Sequence, residues 1–254
     1  MSILLSAAKS NAKALLKSGA LAMHMIIPAL TWAAVVSQFA AKPRVNSRVF
    51  YYIERVMNFL NRERLRRDIA AIRFDAREGG DRYDIYEYVL KNHVTYPLDY
   101  LEFGVYRGAS IRRVLSILPT DCNVYGFDSF EGLPESWYYG ISAGEFKVGE
   151  VPGLTAPNLL FVKGWFEDTL AAFLAANALK QRLVVHMDAD LYAPSIYVLR
   201  TLQHLLVPGT VMIFDEYWFI KDEWRALQEF SRETGKSFEY LATTNVRAAI
   251  RFTS

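Results

Sequence analysis

Apolar segments alternate regularly with amphipathic segments over residues 100–234, and this alternation is what most limits the fold. The predicted strands are residues 100–105, 123–128, 159–163, 183–188 and 210–215. The predicted helices are residues 109–118, 166–178, 194–206 and 221–234. Strands that alternate with helices form a parallel sheet covered on both faces. Two last strands, 237–243 and 247–253, are predicted to form an antiparallel hairpin. The sequence therefore predicts an α/β fold with a doubly wound, mostly parallel, seven-stranded sheet.

The composition agrees with a packed core and a reduced compartment. Of the 254 residues, 52% are hydrophobic and 22% are charged, which excludes a disordered chain. The single cysteine, Cys122, excludes an intramolecular disulfide and any metal site built from several cysteines. We expect a cytoplasmic location.

Charge divides the chain into two parts. Residues 1–73 hold twelve Lys and Arg against three acidic residues, whereas the remainder holds seventeen against twenty-four. We predict a basic, partly apolar, helical N-terminal arm over residues 1–79 and one domain over residues 80–254. The basic helical face within residues 44–74 is interpreted as solvated, so no nucleic acid partner is expected. A homo-oligomer is left open.

Residues 20–41 form an uncharged segment long enough to span a bilayer. His24, Pro28 and Gln38 weaken the insertion signal, and basic residues flank both ends. Three interpretations stay open: a spanning anchor, an interfacial helix, and a helix packed on the domain or on a partner. Membrane association through this segment is therefore an expectation that the sequence does not decide.

The first strand of the sheet runs through Glu102 into a turn that contains Gly104 and Gly108, and a helix follows from Ser110. Glycines let the backbone approach a ligand closely, and ligands of open α/β sheets bind beyond the carboxyl ends of the strands. By itself this pattern is a weak signal, because a glycine pair after a strand is often just a strand-to-helix turn.

The next two strands also end in suggestive residues. Asp128 ends the second strand, where an acid can accept hydrogen bonds from ribose hydroxyls, or can simply cap a turn. Gly164 follows the third strand and allows a close approach to a ligand. Trp165 and Phe166 come next, and either ring could stack on a base or pack in the core.

Acids at the ends of the fourth and fifth strands are the most informative group. Asp188 ends the fourth strand, and Asp215 and Glu216 end the fifth. Crowded carboxylates repel one another unless they share a proton or a cation, and oxygen ligands select Mg²⁺ or Mn²⁺. We therefore predict a metal site here. Asp190 is either a further ligand or a helix cap, and His186 is predicted to be a hydrogen-bonded core residue.

Five blocks together resemble the macrocin O-methyltransferase family of class I S-adenosylmethionine-dependent methyltransferases. They are EFGVYRGAS at 102–110, FDSFEGLP at 127–134, KGWFEDTL at 163–170, DADLY at 188–192 and DE at 215–216. Members of that family use S-adenosylmethionine and Mg²⁺ to methylate sugar hydroxyls of natural products, and they share the fold predicted above. The resemblance covers roughly residues 80–254.

The resemblance implies a set of functional residues. Those that would bind the cofactor are Glu102, Gly104, Val105, Tyr106, Gly108, Ser110, Asp128, Ser129, Phe130, Gly164 and Trp165. Those that would hold Mg²⁺ are Asp188, Asp215 and Glu216. The metal would bind two vicinal oxygens of a small-molecule or glycosylated acceptor and lower the pKa of the attacking hydroxyl.

Two departures from the family pattern affect the chemistry. The family has two aspartates where this chain has Asp215 and Glu216, and residues 135–159 contain no histidine to act as the base. Asp188 is our candidate base, with proton loss to water as the alternative. Trp137, Tyr138 and Tyr139 would line an acceptor pocket or pack in a lid.

Two other functions remain in view. A metal-dependent nucleotide-sugar glycosyltransferase could use the Asp-x-Asp motif of Asp188 and Asp190 to hold Mn²⁺ and a diphosphate. A non-catalytic scaffold could keep the fold and bind a partner or membrane through residues 1–73. Acids at the ends of several strands argue for an enzyme.

Overall fold

The computed structural model describes residues 83–137, 141–180, 182–217, 219, 221–244 and 246–254. The predicted N-terminal arm, with its segment 20–41 and its basic helix, lies outside these residues, as do Tyr138 and Tyr139. No helix in the described ranges is both long enough and apolar enough to cross a membrane.

A seven-stranded sheet organises the described chain, with the strand order β3-β2-β1-β4-β5-β7-β6. The strands are β1 Asp99–Phe103, β2 Asn123–Asp128, β3 Leu159–Lys163, β4 Leu183–Met187, β5 Val211–Phe214, β6 Phe238–Thr243 and β7 Ala248–Phe252. Strands β1 to β5 are parallel, and β7 runs antiparallel to both β5 and β6. The predicted fold class is confirmed.

Five helices lie in the described ranges and cover the sheet. They are α1 Asp84–Asn92, α2 Ala109–Leu115, α3 Phe166–Ala176, α4 Tyr192–Thr201 and α5 Glu223–Thr234. One apolar cluster joins α3, α4 and α5 to one face of the sheet, and a second joins α1 and α2 to the other face. Neighbouring residues of a strand point to opposite faces, so Tyr100 packs in the second cluster and Leu101 in the first.

The start of α4 differs from the prediction. The helix begins at Tyr192 rather than at Pro194, and Leu191 occupies the N-cap position. Proline is tolerated in the first turn of a helix because the amide groups there have no partner within the helix. Asp190 is therefore not the cap of this helix. It has a left-handed φ of 60° instead, which is uncommon outside glycine.

Candidate active site

A cleft of about 290 Å³ opens at the carboxyl ends of the parallel strands. Eight of the predicted site residues line it: Gly104, Tyr106, Asp128, Ser129, Trp165, Asp188, Asp215 and Glu216. Six others do not line it: Glu102, Val105, Gly108, Ser110, Phe130 and Gly164. The structure adds lining residues that the sequence reasoning did not select, among them Gly132, Phe146, Glu167 and Pro194.

The end of β1 packs directly against the loop that follows β4. The Asp188 amide donates to the Phe103 carbonyl at 2.8 Å. Gly104 has a φ of 97°, and a Cβ atom at that position would lie 1.9 Å from the Asp188 carbonyl oxygen. A side chain at residue 104 therefore has neither the conformation nor the space that it would need.

Asp128 ties the loops after β1 and β2 together. Its Oδ2 accepts the Val105 and Tyr106 amides, both at 2.8 Å, and its Oδ1 accepts the Phe130 amide at 2.7 Å. The structure thus shows the turn-capping role that the sequence left open. A carboxylate has roughly four acceptor positions, so three amide donors leave Oδ1 able to accept one further hydrogen bond.

Glu102 and Ser110 turn towards each other instead of towards the cleft. The Ser110 hydroxyl donates to Glu102 Oε1 at 2.5 Å, and both side chains are buried. The other oxygen of Glu102 lies 3.1 Å from His186 Nδ1. His186 is completely buried, which confirms the prediction of a hydrogen-bonded core histidine.

His186 carries its charge between two carboxylates. Burial alone would lower its pKa, but Asp215 and Glu102 raise the pKa of His186 to about 10. Its Nε2 lies 3.7 Å from Asp215 Oδ1, beyond hydrogen-bond range, so this second contact is that of an ion pair. A protonated His186 therefore lies under the floor of the cleft.

Asp215 is held by Arg247 and Tyr86. The Arg247 Nε donates to Asp215 Oδ1 at 2.6 Å, and a terminal nitrogen of the same guanidinium donates to Oδ2 at 2.8 Å. The Tyr86 hydroxyl also donates to Oδ1. Although burial raises the pKa of Asp215, the contacts from His186 and Arg247 lower it well below its usual range.

This pairing bears on the predicted metal ligands. Ligand-type atoms of His186, Asp188 and Asp215 lie within 4.8 Å of one another. However, both oxygens of Asp215 already face a guanidinium, and His186 offers a proton rather than a lone pair. A divalent cation bound to Asp215 would have to displace Arg247, so the residues do not fit the predicted metal in this arrangement.

Asp188 is the carboxylate that remains available at the wall of the cleft. Burial, followed by the charge of Asp215, raises the pKa of Asp188 well above its ordinary value. A carboxylate with a raised pKa is a stronger base than a solvated one. This environment suits Asp188 to accept a proton from a bound hydroxyl.

Glu223, which the sequence reasoning missed, links the loops that follow β4 and β5. Its Oε1 accepts the Ala189 amide at 3.3 Å, and its Oε2 accepts the Glu216 amide at 3.0 Å. The side chain is fully buried, and burial followed by the charges of Asp188 and Asp215 raises the pKa of Glu223. From the sequence it is indistinguishable from an ordinary acid in the first turn of a helix.

Aromatic side chains cover the mouth of the cleft. The Leu133 amide donates to the Glu145 carbonyl at 2.9 Å, so the segment 141–149 folds back over the loop after β2. This places the Phe146 ring 6.0 Å from the Tyr106 ring, edge to face, and each side chain is 40% exposed. Exposed rings at a cleft offer an apolar surface to a ligand.

Trp137 anchors the other end of this cover. Its Nε1 donates to Asp222 at 3.1 Å, and its ring lies 5.5 Å from Phe219. Trp137 thus lines the cleft and is also tied to the segment before α5. The sequence alone did not decide whether this residue lines an acceptor pocket or packs in a lid.

Known proteins resemble parts of this chain. Residues 146–243 match the model of the family described as Macrocin-O-methyltransferase (TylF). The resemblance predicted from the sequence is confirmed. The matched residues include Trp165, Asp188, Asp215 and Glu223 and leave out the loop after β1 and residues 129–145 of the loop after β2. The macrocin O-methyltransferase match thus covers the half of the cleft that carries the candidate base.

A relative from Streptomyces olivaceus is 33% identical over 144 residues. It is the 8-demethyl-8-(2,3-dimethoxy-alpha-L-rhamnosyl)-tetracenomycin-C 4'-O-methyltransferase, and the alignment covers 48% of this chain and 53% of the relative. The chain therefore spans about half the length of the curated relative that it matches.

Two solved structures are also similar. The calicheamicin methyltransferase CalS11 is 20% identical, with 86% of this chain and 90% of that chain covered and a TM-score of 0.48. The O-methyltransferase NovP is 24% identical, with 68% and 78% covered and a TM-score of 0.49. The fold assignment rests on the strand order of this chain and not on these two overlaps.

Proposed function

We propose that this chain is an S-adenosylmethionine-dependent O-methyltransferase that acts on a hydroxyl of a sugar or a natural-product-like acceptor. One observation carries the proposal: the Asp128 carboxylate and the half-buried Asp188 carboxylate line the same cleft at the carboxyl edge of the sheet. The first is suited to a cofactor ribose and the second to an acceptor proton. The family match and the Streptomyces relative support the same reaction class.

The cofactor would lie along the loops after β1, β2 and β3. Asp128 Oδ1 would accept a ribose hydroxyl, and Trp165, which is 36% exposed beside the cleft, would stack on the adenine. When bound, S-adenosylmethionine supplies a methyl group on a positively charged sulfur. The predicted cofactor residues that do not line the cleft would act by shaping these loops.

Asp188 would act as the general base. A hydroxyl held within hydrogen-bond distance of its carboxylate would lose its proton to Asp188 as the oxygen attacks the methyl carbon. Gly104 supports this role because its close contact fixes the backbone of Asp188. In-line methyl transfer then needs mainly orientation, which the packed strand ends would supply.

The acceptor would enter under the aromatic cover. Tyr106, Phe146 and Trp137 offer ring faces to the apolar C–H groups of a sugar or of a polycyclic product. The Streptomyces relative is named for a reaction on a rhamnosyl group, and that name supports a glycosylated acceptor here.

Magnesium is predicted both from the acids at the strand ends and from the resemblance, and it supplies no step of this proposal. Asp188 and Glu216 line the cleft, whereas both oxygens of Asp215 are paired with Arg247. The glycosyltransferase alternative loses support because the antiparallel hairpin of β6 and β7, which the sequence predicted, belongs to the class I methyltransferase fold.

Calorimetric titration of the purified chain with S-adenosylmethionine and S-adenosylhomocysteine tests the cofactor directly. We expect saturable binding of both at micromolar concentration, and transfer of a labelled methyl group to a rhamnose-bearing polyketide. The absence of binding to either ligand, together with binding of a nucleoside-diphosphate sugar, would reject the methyltransferase and favour the glycosyltransferase.

A further inference from the structure

The Asp215 carboxylate has a permanent cationic partner. The guanidinium of Arg247 spans its two oxygens, with one nitrogen at 2.6 Å and another at 2.8 Å. This parallel two-bond arrangement is the strongest common pairing of a carboxylate with a side chain. Tyr86 joins the pair by donating to Oδ1 and by lying 3.4 Å from the Arg247 Nε.

The ion pair is nearly dry. The Asp215 side chain is 1% exposed and the Arg247 side chain 12% exposed. Charges attract and repel more strongly when water is excluded. The guanidinium therefore both neutralises Asp215 and opposes the approach of a second cation to the same oxygens.

Further buried ionisable side chains lie next to this ion pair. Glu102 and Asp215 are the buried acids on either side of His186, and His186 and Arg247 are the facing basic groups. Arg247 thus provides Asp215 with a counter-ion from within the fold. Of the three predicted metal ligands, Asp215 is therefore already paired with a cation.

We infer that the Arg247 guanidinium takes the position that a divalent cation would need at Asp215, so this chain binds Mg²⁺ and Mn²⁺ only weakly. The inference is independent of the methyltransferase proposal because it concerns only the residues under the cleft. Within the proposed function, Asp188 would then meet the acceptor without help from a metal. Arg247 is a positioning residue that keeps Asp215 fixed below the cleft.

Titration of the full chain with Mn²⁺, with the free ion followed by electron paramagnetic resonance, tests this inference. Arg247→Gln frees the Asp215 oxygens, so we expect this variant to bind Mn²⁺ at least about tenfold more tightly than the wild type. Arg251→Gln is the matched control, because Arg251 lies in β7, which Arg247 directly precedes, and pairs with Glu239 at the surface. Its Mn²⁺ affinity should stay within about twofold of the wild type. Equal Mn²⁺ affinities of the wild type and Arg247→Gln would overturn the inference.

The wild-type chain provides a second test if Arg247→Gln does not fold. Its melting temperature should not respond to millimolar Mn²⁺, because a ligand stabilises a fold only when it binds the folded state. A rise with Mn²⁺ that Asp188→Asn abolishes would overturn the inference. Neither measurement includes S-adenosylmethionine, so failure of the methyltransferase proposal would be seen separately in the cofactor titration.

Discussion

Gly104 lies so close to Asp188 that a Cβ atom at residue 104 would sit 1.9 Å from the Asp188 carbonyl oxygen. Gly104→Ala must therefore push apart β1 and the loop after β4. We expect it to lower the free energy of unfolding by about 3 kcal/mol or more, from overpacking together with the cost of a left-handed backbone. Urea unfolding measures this loss.

Gly209→Ala measures the backbone cost alone, so the difference between the two variants gives the steric cost at Gly104. Gly209 has a φ of 96°, against 97° for Gly104, but an added Cβ there meets no atom within 4 Å. Its cost should be limited to the backbone term of about 1–2 kcal/mol. Equal losses in the two variants would contradict the close approach of residues 104 and 188.

Asp128→Asn should weaken the binding of S-adenosylmethionine by about tenfold or more. Asparagine places an NH₂ donor where aspartate has an acceptor oxygen. This NH₂ group would face the backbone amide donors of the surrounding loops, and one acceptor for a ribose hydroxyl would be lost. Isothermal titration measures the affinity. Asp121→Asn is the control, because Asp121 is exposed and precedes the opposite end of the same strand. Similar affinities of both variants would rule out Asp128 as the ribose ligand.

Asp188→Asn should abolish methyl transfer while it leaves the fold intact. Loss of a general base costs roughly 10²-fold or more in kcat, whereas the affinity for S-adenosylmethionine should stay within about threefold. Activity retained in this variant, but lost in Asp190→Asn, would move the base to Asp190.

The same variant should be at least as stable as the wild type near neutral pH. Because the pKa of Asp188 is raised on folding, the folded state holds the proton more tightly than the unfolded state does. Ionisation as the pH rises therefore favours unfolding, and Asn removes this penalty. Urea midpoints of both proteins at about pH 7 test this sign, and a clearly lower midpoint for Asp188→Asn would contradict it.

His186 should make stability depend on pH in the alkaline range. The pKa of His186 rises from its ordinary 6.5 to about 10 on folding. Its contribution is complete below pH 6.5 and is lost as the pH rises towards 10, at up to about 1.4 kcal/mol per pH unit. Urea unfolding at about pH 7 and about pH 9 should show this loss in the wild type and not in His186→Asn.

Nitrogen NMR of the imidazole rings gives an independent measurement. His186 should carry two protons at about pH 8. Burial, followed by the charge of Arg251, lowers the pKa of His93, so that ring should be neutral at the same pH. A neutral His186 under these conditions would contradict the buried ion pairs on both of its sides.

The sheet and the cleft were predictable because their signals are local. Each strand is a short apolar segment, and Asp128, Asp188 and Asp215 stand out because aspartate is unfavourable in strands. Parallel strands bring their carboxyl ends to one edge, so a cluster of acids could be expected without knowledge of any contact.

The counter-ion of Asp215 was not predicted because it depends on pairing across the sheet. Arg247 is 32 residues away from Asp215 in the chain. The antiparallel register pairs Phe214 with Ala248, and one step outward this register places Arg247 beside Asp215. The contact between Arg247 and Asp215 could be predicted from the hairpin only if β7, and not β6, was known to lie beside β5.

The direction of the side chains at Glu102 and Ser110 could not be predicted for a similar reason. Both stand in the predicted cofactor turn, yet they hydrogen bond to each other, and Glu102 continues to His186 on the neighbouring strand. A motif fixes where the backbone turns, whereas the partner of a buried carboxylate depends on which strand lies beside it.

The place of β7 in the sheet has a consequence for how the protein is made. Every strand that borders the cleft precedes Arg247 in the chain, so the counter-ion of Asp215 is the last part of this ion pair to be synthesised. A chain cut between these two residues would keep the parallel strands but would leave a buried acid at their edge without its counter-ion, which is costly. We therefore expect such a shortened chain to be much less stable than one that includes residue 247.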